Sequence, residues 1–197
     1  VDGLGLITYQ WLADGVAIEG ATSDVLVLTQ AQVGKSITVK ASYTDGFGAA
    51  EAVTSAATVK VVNVNDLPTG TVTVVGTAKQ GETLSVSSSL VDLDGLGTFS
   101  YQWLADGVEI SGATGATLAL SQALVRKTIT VRVSYVDGYG TAETVTSEAT
   151  AAVANVNDAP TGSVSIKGTA KQGQTLTASN TLADVDGLGL ITYQWLA

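Results

Sequence analysis

The chain contains no cysteine and no histidine, and these two absences remove most routes to catalysis. Without cysteine it has neither a disulfide nor a thiolate nucleophile. Without histidine it lacks the usual general base and the commonest zinc ligand. The remaining route, a pair of carboxylates of the glycosidase type, needs both groups in one cleft, whereas the acidic residues here lie in repeated turns. We therefore expect that the protein is not an enzyme.

Long apolar runs, positive charge and proline are also scarce. No apolar run approaches the ~18 residues that a membrane-spanning helix needs. Nine basic residues against 18 acidic ones give a formal net charge of −9. This charge argues against nucleic acids and anionic membranes as partners, and it favours cations. The only two prolines are Pro68 and Pro160, and both lie in a linker that occurs twice.

What the chain has instead is an internal repeat with a period of 92 residues. The string YQWLADG begins at Tyr9 and again at Tyr101, and YQWLA begins at Tyr193. The linker NDLPTG, which begins at Asn65, returns as NDAPTG at Asn157. The same 13 residues, VDGLGLITYQWLA, open and close the chain, as expected for a segment of a longer array. Such arrays provide length or multivalency more often than chemistry.

Each repeat shows the alternation of apolar and polar residues that is typical of strands with one buried face, as in Ile129 to Tyr135. Asp-Gly pairs beginning at Asp14, Asp45, Asp106 and Asp137 predict hairpin turns between strands. About seven short strands per repeat predict an all-β fold of tandem immunoglobulin-like antiparallel β-sandwich repeats. The predicted strands of the middle repeat are A (71–75), B (83–89), C (98–105), C′ (108–110), E (117–121), F (128–136) and G (143–153).

Three side-chain environments follow from this strand assignment. Trp103 lies on strand C, where such sandwiches bury a tryptophan. Tyr135 lies late in strand F, either as a half-buried sheet aromatic or as a tyrosine corner. Leu26 and Leu28 predict a short strand E in the first repeat, like the one that Leu118 and Leu120 predict in the middle repeat.

The predicted domain boundaries fall at the two linkers. Residues 1–64 form a partial repeat that lacks strands A and B, residues 65–156 form a complete repeat, and residues 157–197 form a partial repeat with strands A to C. Two outcomes are open for the partial repeats. Either their missing strands lie in a longer parent chain, or the tail of one chain completes the head of the next by β-strand complementation, which gives an open fibre.

Acidic residues recur in loops that share one end of such a sandwich. Asp66 precedes strand A, Asp92 and Asp94 lie between B and C, and Asp137 lies between F and G. These carboxylates would repel one another without a cation, and Ca²⁺ takes 6–8 oxygen ligands in a tolerant geometry. The competing interpretation is ordinary turn chemistry, which we prefer for Asp14 and Asp106 at the opposite end. The candidate calcium ligands are Asp66, Asp92, Asp94 and Asp137, with their counterparts Asp158, Asp184, Asp186, Asp2 and Asp45.

Several strings together resemble the tandem Ig-like extender repeats of giant Gram-negative surface adhesins, of the biofilm-associated and RTX types. They are YQWLADG at Tyr9, VGK at Val33, SYTDG at Ser42 and NVNDLPTG at Asn63, and the resemblance covers the whole chain. It implies secreted repeats that stay at the bacterial cell surface, hold out a distal binding module and bind Ca²⁺ between repeats. The RTX nonapeptide GGxGxDxUx is absent, so only the extender repeats are implied.

The expected function is therefore a structural extender, or stalk, of a surface adhesin or extracellular filament, which supports adhesion or biofilm formation. Its partners are neighbouring repeats that join end to end, with no nucleic acid and no membrane insertion in this segment. The alternative is a ligand-binding module, for example one that binds carbohydrate. Phe47 and Tyr139, at matching positions of the F–G loop, are its candidate aromatics, and packing against a neighbouring repeat is their other interpretation.

Overall fold

A computed structural model describes residues 5–196 and is almost entirely β, as the alternation predicts. Helical structure in these residues is confined to two short 3-10 turns, Gln30–Gln32 and Gln122–Leu124. In this part of the chain, no helix is both long and apolar enough to cross a membrane. The candidate ligand Asp2 lies outside the described residues.

The chain divides into two compact units that do not coincide with the repeats. The loops predicted between strands B and C and between F and G of the middle repeat belong to the same unit as the first repeat and its linker. The repeat boundaries at the linkers stay a prediction. The first unit contains Val1–Gly70, Leu90–Thr98 and Tyr135–Glu143, and the second contains Thr71–Ser89, Phe99–Ser134 and Thr144–Ala197.

The first repeat forms one antiparallel sheet with the strand order β2-β1-β3-β4. Asp14 and Gly15 form the two-residue turn between β1 and β2, with φ values of 47° and 80°, as expected for a type I′ turn. The predicted strand at Leu26 and Leu28 is wrong, because residues 25–29 form no strand. The strands are β1 (Thr8–Ala13), β2 (Val16–Ala17), β3 (Ile37–Thr44) and β4 (Ala50–Thr54).

The middle repeat forms the two sheets of a sandwich, and the predicted strand positions are confirmed to within a few residues except at the end of strand G. One sheet has the order β5-β6-β9 and the other has the order β11-β10-β7-β8. The strands are β5 (Val72–Val75), β6 (Thr83–Ser88), β7 (Ser100–Ala105), β8 (Val108–Glu109), β9 (Thr117–Ala119), β10 (Ile129–Val136) and β11 (Ala142–Thr146).

The core of the second unit contains Trp103, whose predicted burial is confirmed by a side chain that is fully inaccessible to solvent. Its indole Nε1 donates a hydrogen bond of 2.9 Å to the Gly115 carbonyl, so the buried ring leaves no unsatisfied donor. The other fully buried side chains are aliphatic: Leu84, Ile129, Val131, Val133 and Val153.

Strand G is shorter than predicted because side-chain hydroxyls replace backbone acceptors beyond Thr146. The Ser147 hydroxyl accepts the Val131 N–H at 3.0 Å, and the Thr150 hydroxyl accepts the Ile129 N–H at 3.1 Å. These bonds let the chain leave the regular ladder while the N–H groups of β10 stay paired.

The last repeat contributes an antiparallel hairpin, β12 (Val164–Lys167) and β13 (Thr177–Asn180). Its register repeats that of β5 and β6, since Val164 pairs with Asn180 as Val72 pairs with Ser88. Residues 188–196, which include the predicted strand C, form no strand.

Candidate functional site: the repeat junction

Within the first unit, the Asp94 carboxylate binds both the first repeat and the linker that follows it. Its Oδ1 accepts a hydrogen bond of 2.7 Å from the Gln30 side-chain amide, and its Oδ2 accepts one of 2.7 Å from the Asp66 backbone N–H. Asp94 is 4% exposed, so these two donors satisfy a buried carboxylate. Gln30 begins the first 3-10 turn, and Asp66 lies in the linker.

The same arrangement recurs 92 residues later within the second unit. The Gln122 amide donates to Asp186 Oδ1 at 3.2 Å, and the Asp158 N–H donates to Asp186 Oδ2 at 2.8 Å. The Asp158 N–H, with the Asn155 side chain, lowers the pKa of Asp186 below its usual range. We call this set, Gln30–Asp66–Asp94 and its counterpart Gln122–Asp158–Asp186, the amide–carboxylate junction.

Further amide side chains bind the two linkers. In the first unit, Asn65 Nδ2 donates to Glu143 Oε1 at 2.8 Å. In the second unit, Gln80 Nε2 donates to Asp158 Oδ2 at 3.0 Å, and Gln80 Oε1 accepts the Val156 N–H at 3.0 Å. These bonds thus use neutral donors and carboxylate or amide oxygens as acceptors, and no lysine or arginine takes part in them.

Tyr135 and Asp92 form a buried pair next to Asp94. The Tyr135 hydroxyl donates to Asp92 Oδ2 at 2.6 Å, and Asp92 Oδ1 accepts the Asp94 N–H at 2.8 Å. Burial and the neighbouring Asp92 carboxylate raise the pKa of Tyr135. The prediction of a half-buried tyrosine is therefore wrong, since Tyr135 is 4% exposed. Its hydroxyl donates to the Asp92 carboxylate, and the tyrosine-corner interpretation stays a prediction.

Asp137 organises the loop between β10 and β11. Its Oδ1 accepts the N–H groups of Tyr139 and Thr141, both at 2.8 Å. Burial acts to raise the pKa of Asp137, but these backbone N–H donors outweigh it and lower the pKa. The other oxygen, Oδ2, is buried without a hydrogen-bond partner. Asp45 forms the same turn in the first repeat, accepting the N–H groups of Phe47 and Ala49.

The structure brings the loops of four predicted calcium ligands together in the first unit. The Asp66 N–H donates to the Asp94 carboxylate, the Asp94 N–H donates to Asp92, and the Gly138 N–H, next to Asp137, donates to the Asp94 carbonyl. Within residues 5–196, no three or more His, Cys, Asp or Glu side chains are arranged to hold a metal ion. Asp92 and Asp94 use both of their oxygens on protein donors. Asp184 Oδ1 accepts the Asp186 N–H at 2.9 Å, as Asp92 does for Asp94.

Among the described residues, three buried side-chain oxygens have no hydrogen-bond partner: the carboxylate oxygen Asp137 Oδ2 and the amide oxygens Asn63 Oδ1 and Gln122 Oε1. All three are oxygen types that Ca²⁺ binds.

The prediction from sequence missed the glutamines of the junction. The acidic residues form a recognisable pattern because they recur as Asp-x-Asp-Gly, whereas single glutamines carry no comparable signal. One signal was present in the internal repeat. Gln30 returns as Gln122, although the nearby Gln32 and Gly34 are replaced by Leu124 and Arg126.

The two loop aromatics are exposed, Phe47 at 85% and Tyr139 at 53%. Their packing against a neighbouring repeat stays a prediction.

Comparisons with protein-family models and with curated proteins find no match to this chain.

Proposed function

We propose that this chain is a segment of an extracellular stalk, in which repeats join end to end through the amide–carboxylate junction. The observation that carries the proposal is the recurrence of this junction at the 92-residue period. A contact that returns with the period can serve every joint of an array, as an end-to-end stalk requires. The proposed role is mechanical, without catalysis.

The biological setting of the proposal rests on the resemblance to extender repeats of Gram-negative surface adhesins. In that setting the segment is secreted, stays at the bacterial cell surface and holds out a distal adhesion module. The formal charge of −9 and the absence of cysteine agree with such a solvent-exposed array.

The stalk proposal can be tested by measuring the distance between two spin labels. The chain has no native cysteine, so labels can be placed at the exposed Glu19 and Glu148 without background. We expect a narrow distance distribution in the parent protein. Gln30→Glu places a second negative charge beside Asp94 and should broaden the distance distribution. Gln30→Lys supplies a donor to Asp94 instead, and its distance distribution should be narrow.

Gln172→Ala, at an exposed glutamine, is the matched control and should leave the distribution unchanged. A broad distribution in the parent protein, or equal widths for the Glu and Lys variants, would contradict the stalk proposal.

Calcium remains part of the proposal as a modulator of the joint. Carboxylate oxygens are the ligands that Ca²⁺ prefers, and Asp137 Oδ2 is buried and unpartnered. Asp137 would be the first ligand, whereas Asp94 and Asp92 would have to give up their present donors. If calcium binds only the folded form, a free calcium concentration of 100 times the Kd raises the free energy of unfolding by about 2.7 kcal/mol. Thermal unfolding in calcium and in EDTA measures this stabilisation. Equal Tm values would show that calcium does not modulate the joint.

Carbohydrate binding is the second candidate, favoured by the exposure of Phe47 and Tyr139. Exposed aromatic rings are the side chains on which sugar rings stack. A glycan array decides between the two candidates. A stalk segment binds nothing on the array, and a lectin-like segment loses its signal in Tyr139→Ala.

A further inference from the structure

The C-terminal segment of the middle repeat is held by a parallel bridge, whereas the strands β5, β6 and β9 pair antiparallel. The bridge joins Lys79 and Ala154 within the second unit. The Ala154 N–H donates to the Ala78 carbonyl at 2.9 Å, and the Gln80 N–H donates to the Ala154 carbonyl at 2.9 Å. Residues 78–80, which follow β5, therefore run beside residues 154–156 in the same direction.

The side chain of Gln80 extends this pairing onto the linker. Its Oε1 accepts the Val156 N–H at 3.0 Å, and its Nε2 donates to Asp158 Oδ2 at 3.0 Å. The N–H of the same Asp158 donates to Asp186 in the next repeat, so one linker residue contacts both repeats. We call residues 78–80 together with residues 154–158 the exit clamp, because the chain leaves the middle repeat through it.

The parallel direction of the exit clamp determines how it responds to a pull along the chain. In an array, the chain enters the repeat before residues 78–80 and leaves it after residues 154–158. A pull on the entry and the exit draws two parallel segments past each other along their length, so all of their hydrogen bonds are loaded together. An antiparallel pair in this position would be pulled apart from one end, and its bonds would break one after another.

We propose that the exit clamp bears the load when the chain is stretched, and that the Gln80 side chain sets the strength of the clamp. The proposal rests on the stalk function, because a stalk is the element that is pulled along its length. The exit clamp has two backbone hydrogen bonds and two from the Gln80 side chain. Gln80 therefore supplies half of the bonds that resist sliding.

The test is forced unfolding of the whole 197-residue chain, held at two introduced cysteines. The chain has no native cysteine, so the handles attach only at the chosen residues. Leu67→Cys and Ala159→Cys place the handles at exposed, equivalent positions of the two linkers, and a pull between them loads the clamp in shear. Glu82→Cys with Ala159→Cys places both handles beyond the same end of the clamp, so that the pull peels it open. We expect a clearly higher unfolding force in shear than in peeling.

Gln80→Ala removes the two side-chain bonds of the exit clamp. It should raise the rate of unfolding in shear about tenfold at a given force. A general loss of stability would raise the rate equally in both pulling directions, whereas loss of the clamp acts mainly in shear. The matched control is Gln172→Ala, the same change at the exposed counterpart of Gln80 in the last repeat. It lies outside the loaded stretch 67–159 and should leave the unfolding rate unchanged.

Three results would overturn the proposal. They are equal unfolding forces in the two directions for the parent protein, an unchanged rate in shear for Gln80→Ala, and an equal rise of its rate in both directions. Failure of the clamp is separable from failure of the stalk. Equal forces with a narrow distance distribution between labels at Glu19 and Glu148 remove the exit clamp and leave the stalk. A broad distribution with a higher force in shear removes the stalk and leaves the clamp as a property of the single repeat.

Discussion

Removing the Tyr135 hydroxyl should destabilise the end of the middle repeat without creating a cavity. Tyr135→Phe keeps the ring and leaves Asp92 Oδ2 without its 2.6 Å donor in a site where both residues are buried. A hydrogen bond to a charged group contributes about 1.5–3 kcal/mol, and an orphaned buried carboxylate adds to the loss. We expect a loss of about 2 kcal/mol at pH 7. With a urea dependence of about 1–3 kcal/mol/M, the midpoint of unfolding falls by about 1 M.

The first repeat offers the matched control for this prediction. Tyr43 lies 92 positions before Tyr135 and is half-buried, and within residues 5–196 its hydroxyl makes no hydrogen bond to a carboxylate. Tyr43→Phe should therefore change the free energy of unfolding by less than about 0.5 kcal/mol. Urea titration followed by tryptophan fluorescence compares the two. Equal losses for both variants would refute the importance of the pair.

The same pair predicts a loss of stability in alkali. Burial and the Asp92 carboxylate raise the pKa of Tyr135 above that of an unfolded tyrosine, which is about 10. A raised folded-state pKa gives stability that is complete below about pH 10 and is lost as the pH rises further. The parent protein should lose stability above pH 10 more steeply than Tyr135→Phe. Parallel pH profiles for the two proteins would show that the phenol does not titrate as described.

Three further outcomes are expected. Trp103→Ala should cost about 3–5 kcal/mol in urea unfolding, and Trp11→Ala should cost clearly less, because Trp11 is only half-buried in the first repeat. Arg126 has a φ of 66° where the first repeat has Gly34. Arg126→Gly should thus raise the free energy of unfolding by up to about 1 kcal/mol and raise the Tm slightly. Gly34→Ala should lower both quantities. The pKa of Asp137 is lowered in the folded protein, so its charge stabilises the fold above the unfolded aspartate pKa of about 3.9, and this stability is lost as the pH falls further. In Asp137→Asn, the free energy of unfolding should therefore depend less on pH in acid.

The strands of the complete repeat were predictable because the alternation of apolar and polar residues within each strand marks the face that is buried. The alternation around Ile129 and Val131 and the Asp106-Gly107 pair are local signals, and the structure confirms them. The first repeat shows where local signals fail. Leu26 and Leu28 have the same alternation as Leu118 and Leu120, but a strand needs a partner, and the partner strand B is not available to them in the described chain.

The junction was only partly predictable for a similar reason. The recurrence of acidic loops pointed to the correct end of the repeat, and repulsion between carboxylates suggested a cation. The structure satisfies Asp94 with the Gln30 amide and the Asp66 N–H instead. Neutral donors at sequence separations of 64 and 28 residues leave no local pattern, so the prediction from spacing could not find them.

The choice of amides as donors to Asp94 and Asp186 sets how the joint responds to salt. An ion pair on the surface weakens as ionic strength rises, because mobile ions screen the attraction between its charges. The bonds from Gln30 and Gln122 carry one charge each, so screening removes little of their strength. Salt does screen the repulsion among the neighbouring carboxylates. A stalk built on such joints would hold its geometry from dilute to strongly saline water, and its stability would rise with ionic strength.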